Sequence, residues 1–164
     1  MSAPVRYGAL LCSLLLGIAA EAQYTKSVDA RSYNLGIIGG FAEVVRMGVK
    51  TLALSEVLLP SAMDDLWPDA LVVAERNGVM LYREDDLLVT DLFPAGVAEG
   101  KHVLLIYTGD TLERYRAIKS DKARLVAQGK YAGEARRDIA RRFGRLLSYP
   151  QATIERLIDE QARR

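Results

Sequence analysis

The sequence predicts a single α/β domain over residues 1–164: a small, mostly parallel sheet of three or four strands, preceded by two apolar helices and followed by a three-helix tail. Three observations lead there. Residues 4–56 form a long block of Leu, Ile, Ala and Gly, apolar enough to be buried from several sides. Short apolar runs at 49–54, 79–82, 87–90 and 102–107 alternate with a helical segment over 62–77. From residue 110 onward the apolar spacing is helical throughout. A chain of 164 residues, half of them hydrophobic, is long enough for one real core, and 26% charged residues argue against disorder.

The first helix competes with a secretory signal. Gly8 to Ala20 is uncharged and leads into Ala20-Glu21-Ala22, a small-x-small cleavage pattern. It is too short to span a bilayer, so no membrane span is expected. Read as a helix, Pro4 suits a first turn, and Tyr7, Leu10, Leu11, Leu14, Leu15 and Ile18 make one stripe opposite a mostly small face. A signal has no reason to sort large from small, whereas a closely packed helix does. The folded helix and a cytoplasmic location are therefore preferred; secretion or export to the periplasm after cleavage near Ala22 is the alternative.

The second helix is expected over residues 32–48, capped by Ser32, with Leu35, Ile38, Phe41 or Ala42, and Val45 on one face and Gly48 at its end. Each glycine inside a helix costs about 1 kcal/mol relative to alanine, so Gly36, Gly39 and Gly40 call for close packing against the first helix. A strand feeding a glycine turn is the other option, but the G-x-G-x-x-G spacing is absent. Glu43 and Arg46 are neighbours on this helix, either as an exposed ion pair or as the polar wall of a pocket between the two helices.

In the middle of the chain, Val49 to Leu54 reads as a buried strand, and Ser61 as the cap of the helix over 62–77, with Pro68 marking a first turn or kink. Asn77-Gly78 ends that helix ahead of the strand Val79 to Tyr82. Strand, helix and strand at this length predict a parallel crossover. Leu87 to Thr90 and His102 to Tyr107 follow as strands. Gly96 to Lys101 precedes a strand rather than following one, so it is no phosphate loop. Asp110 and Glu113 have capping-box spacing at the start of the tail. Within the tail, Ile139, Phe143, Leu146 and Leu147 mark a second helix, and Pro150 opens a third with Ile154, Leu157 and Ile158 inward.

Charge is uneven along the chain. Residues 61–100 carry two bases against nine acids, and residues 101–164 carry fifteen bases against eight acids, although the net charge is only +1. With one cysteine, Cys12, and one histidine, His102, neither an intrachain disulfide nor a Cys/His zinc site can form. His102 at a strand start reads as structural rather than as a catalytic base. Glu84, Asp85, Asp86 and Asp91 read as a solvated acidic turn without cation-loop spacing. No metal site and no cofactor is called for.

Two functions follow. The first is a small polar ligand held between the strand ends and the N-terminal helices by Glu43, Arg46, Ser55 and Glu56; whether a reaction accompanies binding is left open. The alternative is a basic face of Arg136, Arg137, Arg141, Arg142 and Arg145 contacting nucleic acid or an acidic protein. Ala140, Gly144 and Ile154 are too widely spaced for a helix-turn-helix, which weakens the nucleic-acid option. Association of identical chains stays open.

Overall fold

The computed structural model describes residues 29–163. The expected first helix, and the signal segment with its cleavage near Ala22, lie outside the described residues. Within them are five helices and one three-stranded sheet.

Helix α1 (Ala30–Arg46) starts at Asp29, whose carboxylate accepts the Ser32 backbone N–H at 2.8 Å. Ser32, expected as the cap, is instead the donor in the first turn. Ile38, Ala42 and Val45 are buried at the spacing of one helical face. They pack on α2 (Pro60–Asn77), where Met63, Leu66, Ala70 and Ala74 make the matching stripe. Pro60, not Ser61, opens α2, since a first helical residue needs no N–H partner. Pro68 neither ends nor delays the helix. It is exposed, as is Asp64, so the carbonyl it fails to bond faces water. Arg31 ties the two helices together through Asp69 and the Asp65 carbonyl.

The sheet differs from the expected mostly parallel one: it has three strands and both pairings are antiparallel. Strands β1 (Leu52–Leu54), β2 (Met80–Glu84) and β3 (Val103–Tyr107) are ordered β1-β3-β2. Leu52 and Met80 both lie opposite Tyr107, on either side of β3. Because each outer strand is antiparallel to β3, β1 and β2 run in the same direction. The β1-α2-β2 connection therefore resembles the expected crossover, but β3 occupies the place between its strands. All five residues of β3 are buried. A central strand covered on both faces reads as a continuous apolar run, the same signature as a parallel strand.

The expected strand at Leu87–Thr90 is also absent. Leu87 and Leu88 are buried, but side chains of α3 (Thr111–Ala127) take up the backbone groups a strand would have paired. The Leu88 N–H donates to the Tyr115 hydroxyl at 2.9 Å, and Lys122 donates to the Val89 carbonyl at 2.8 Å. Tyr115 is fully buried, and that burial pushes its phenol well above the usual tyrosine range. Lys119 reaches Glu84 and Asp86, and Arg136 holds Asp91, so the expected solvated acidic turn has two buried members, Glu84 and Asp91.

The sheet is the middle of three layers. Ala53, Leu104 and Ile106 face α1 and α2. Leu52, Val103, Leu105 and Tyr107 face α3, α4 (Gly133–Leu146) and α5 (Gln151–Ala162). Asp110 occupies the cap position of α3, yet its carboxylate makes no capping bond; the Thr111 hydroxyl donates instead to the Thr108 carbonyl at 2.8 Å. Among the described residues no helix is long and apolar enough to cross a membrane.

Candidate ligand pocket

Where α1, the end of β1, the 87–97 loop and the α4–α5 turn converge, they leave a cavity of about 240 Å³ open to solvent on one side. Its wall is apolar: Phe41, Leu54, Val57, Leu87, Phe93, Val97, Val103 and Leu147. Four polar side chains complete it, Lys50, Ser55, Glu56 and Tyr149.

Lys50 is the cationic group of the cavity. It follows α1 and precedes β1, so the chain's turn into the sheet places it on the rim. Its Nζ donates to the Leu147 carbonyl at 2.6 Å and lies 5.1 Å from the centre of the Tyr149 ring. Among the described residues no carboxylate lies within ion-pair distance of it. Burial holds its ammonium below the usual lysine value of 10.5. The folded chain thus gives up this proton more readily than the unfolded chain. The lysine weakens folding at neutral pH, and the penalty fades as pH rises toward 10.5.

Tyr149 is positioned by a strained turn. Helix α4 ends with the Tyr149 N–H on the Gly144 carbonyl and the Ser148 N–H on the Arg145 carbonyl, both at 3.0 Å. Glycine is the usual residue in that left-handed position, but Ser148 holds it at φ 60. The serine hydroxyl accepts the Thr51 N–H at 2.8 Å, which pins the turn to the start of β1. Backbone strain of about 1–3 kcal/mol persists only where the surroundings enforce it. Here it sets Tyr149 beside Lys50. Burial also raises the Tyr149 phenol, so it stays protonated at neutral pH.

Ser55 and Glu56, expected at the site, both line this cavity. The Ser55 hydroxyl accepts the Leu104 N–H at 2.9 Å and donates to the Glu56 carbonyl at 2.8 Å, so it ties β1 to β3 and its proton rests on a carbonyl rather than on an activating base. The Glu56 side chain is exposed at the mouth. Glu43 and Arg46 are exposed on α1, do not line the cavity, and form no ion pair with each other. The glycines of α1 have no described neighbour that demands them: a Cβ on Gly36 or Gly40 would meet nothing within 4 Å.

The arginine face of α4 is largely neutralised within the fold. Arg136 binds Asp91, and Arg137 binds Glu155 at 3.3 Å and Asp159 at 3.0 Å. Arg141 bridges Glu134 and Glu155, and Arg142 holds Asp121 at 2.7 Å. These hydrogen bonds keep the Asp121 and Glu155 carboxyls below their usual values. Arg145 is exposed and has no acidic partner among the described residues. His102 accepts from Arg83 Nε at 2.7 Å through Nδ1, and Arg83 also binds Asp64 at 2.6 Å, a structural tie between the sheet and α2. Among the described residues no cluster of metal-ligating side chains occurs.

Lys50 and Tyr149 were not legible as site residues in the sequence. Lys50 sits inside an apolar run that reads as strand, and Tyr149 follows a helix stop that lacks its glycine. That missing glycine is the one local signal of an enforced turn. Comparison with protein-family models, with curated proteins and with solved structures yields no match, so the pocket is interpreted from its own geometry.

Proposed function

We propose that the protein binds a small amphipathic anion, its apolar body against Phe41, Leu54, Phe93 and Val103 and its carboxylate against the Lys50 ammonium. One observation carries this: a partly desolvated lysine, unpaired with any described carboxylate, at the rim of an apolar cavity. An apolar pocket with a few convergent polar groups is the usual form of a small-molecule site. An incoming anion would supply the partner Lys50 lacks, and Tyr149 O–H could donate a second bond. The engaged hydroxyl of Ser55 supports binding rather than covalent turnover. The basic face of α4 is the weaker reading, since four of its five arginines are already paired.

The test is thermal unfolding with hexanoate, phenylacetate and the matching uncharged alcohols. The carboxylates should raise Tm and the alcohols should not, with a gain of about 2.7 kcal/mol at a ligand concentration of 100 Kd. Lys50→Met should abolish that gain while leaving unliganded stability within about 1 kcal/mol, because the lost hydrogen bond is offset by the relieved burial of charge. Binding should also weaken as pH rises, beginning below the ordinary lysine value of 10.5, because burial makes the unliganded Lys50 give up its proton sooner. Equal stabilisation of wild type and Lys50→Met would sink the assignment.

A further inference from the structure

A second cavity, of about 350 Å³, lies between α3 and α4. Its lining is Arg114, Arg142, Arg145, Ala117, Ile118 and Leu146. Three arginines line one groove, and no acidic residue lines it. Arg142 is compensated by Asp121 at 2.7 Å and by Asp138 at 3.8 Å. Arg114 and Arg145 are exposed and have no acidic partner among the described residues. Like charges brought together this way repel unless an anion joins them. The Ala117, Ile118 and Leu146 floor is apolar, which strengthens any charge pair formed above it.

We infer that this groove is a binding site for the phosphoryl group of a small phosphate monoester, clamped between Arg114 and Arg145. Guanidinium forks match phosphate oxygens in paired, charge-assisted hydrogen bonds. Arg114 lies one turn into α3 and Arg145 in the last turn of α4, so the helix dipoles offset each other and the attraction comes from the guanidinium groups themselves. The groove has room for more than the phosphoryl group alone, so a small organic body fits with it. A nucleic-acid strand needs a run of phosphate contacts. Here the free charge is confined to two arginines, because Arg136, Arg137 and Arg141 on the same helix are spent on Asp91, Glu155, Asp159 and Glu134. The site is separate from the Lys50 cavity and shares no lining residue with it.

Titration calorimetry on the full chain with inorganic phosphate, glycerol phosphate and a single-stranded oligonucleotide tests this. Glycerol phosphate should bind one to one, more tightly than inorganic phosphate, and no more weakly than the oligonucleotide. The double variant Arg114→Gln, Arg145→Gln should weaken glycerol phosphate by about tenfold or more, the scale of a lost charge-assisted contact. Both side chains are exposed, so folding should hold; a lysine pair at the same positions, which keeps the charge, should recover part of the affinity. Lys50→Met should leave phosphate binding unchanged, which separates this site from the carboxylate pocket. Unaltered binding in the glutamine pair would overturn the site. Much tighter, steeply salt-dependent oligonucleotide binding would overturn the small-molecule assignment in favour of nucleic acid.

Discussion

The two layers that cover the sheet are built differently. The α1–α2 layer buries mostly small or unbranched side chains, Ala42, Ala70, Ala74 and Met63, against Ala53 of β1. The α3–α5 layer is aromatic and cross-tied. Phe143 is fully buried at its centre, 6.1 Å from the Phe93 ring and 5.8 Å from the Tyr115 ring, and arginine–carboxylate pairs link its helices. The second cavity lies wholly within this layer, whereas the first lies where α1, the end of β1 and the 87–97 loop meet the α4–α5 turn. Small residues let helices approach and leave no gaps, whereas bulky rings and long charged side chains leave grooves between elements. The α3–α5 layer thus holds one groove of its own and shares the other cavity with α1 and β1.

That contrast can be broken by substitution. Phe143→Ala should destabilise the chain by about 3–5 kcal/mol, read by denaturant unfolding, because it removes a ring and opens a cavity at the hub of the aromatic layer. Ile38→Val in the opposite layer should cost only about 0.5–1.5 kcal/mol. A Phe143→Ala cost no larger than that of Ile38→Val would mean that the ring is not packed as the hub of its layer. Gly144→Ala should come next, at about 1–3 kcal/mol, since a Cβ there would lie 2.7 Å from Ile154 Cγ1 where α4 and α5 meet. If this variant is as stable as the parent, the contact is looser than described. Gly40→Ala, on a side of α1 that no other described residue covers, should be the smallest effect and opposite in sign, a gain of up to about 1 kcal/mol read as a rise in Tm or denaturant midpoint. A loss there would reveal something packed on that face.

Much of the secondary structure was legible because it depends on local chemistry. The stripe Ile139, Phe143, Leu146 marked α4, Pro150 marked the start of α5, and Gly78 marked the end of α2. What failed depends on partners distant in sequence. The capping of α1 went to Asp29 rather than Ser32 because both are cap formers and only the backbone path chooses. Leu87–Thr90 had strand composition, but Tyr115 and Lys122 from α3 took its backbone groups. Of the expected site, Ser55 and Glu56 reached the cavity because they follow β1 directly; Glu43 and Arg46, one helix earlier, did not.

The sequence by itself determined the helices of the described residues, the apolar runs that supply the sheet, and that the tail carries an excess of arginine. These are properties of periodicity, hydropathy and composition, which neighbouring residues impose on one another. The tertiary structure decided strand direction, because β3 enters between β1 and β2 and its apolar run is the same whichever way it points. It decided which arginines are free, because pairing depends on carboxylates from three other elements. It also decided the place of Lys50, because the desolvation and the ring that distinguish it come from Leu147 and Tyr149, about a hundred residues away along the chain.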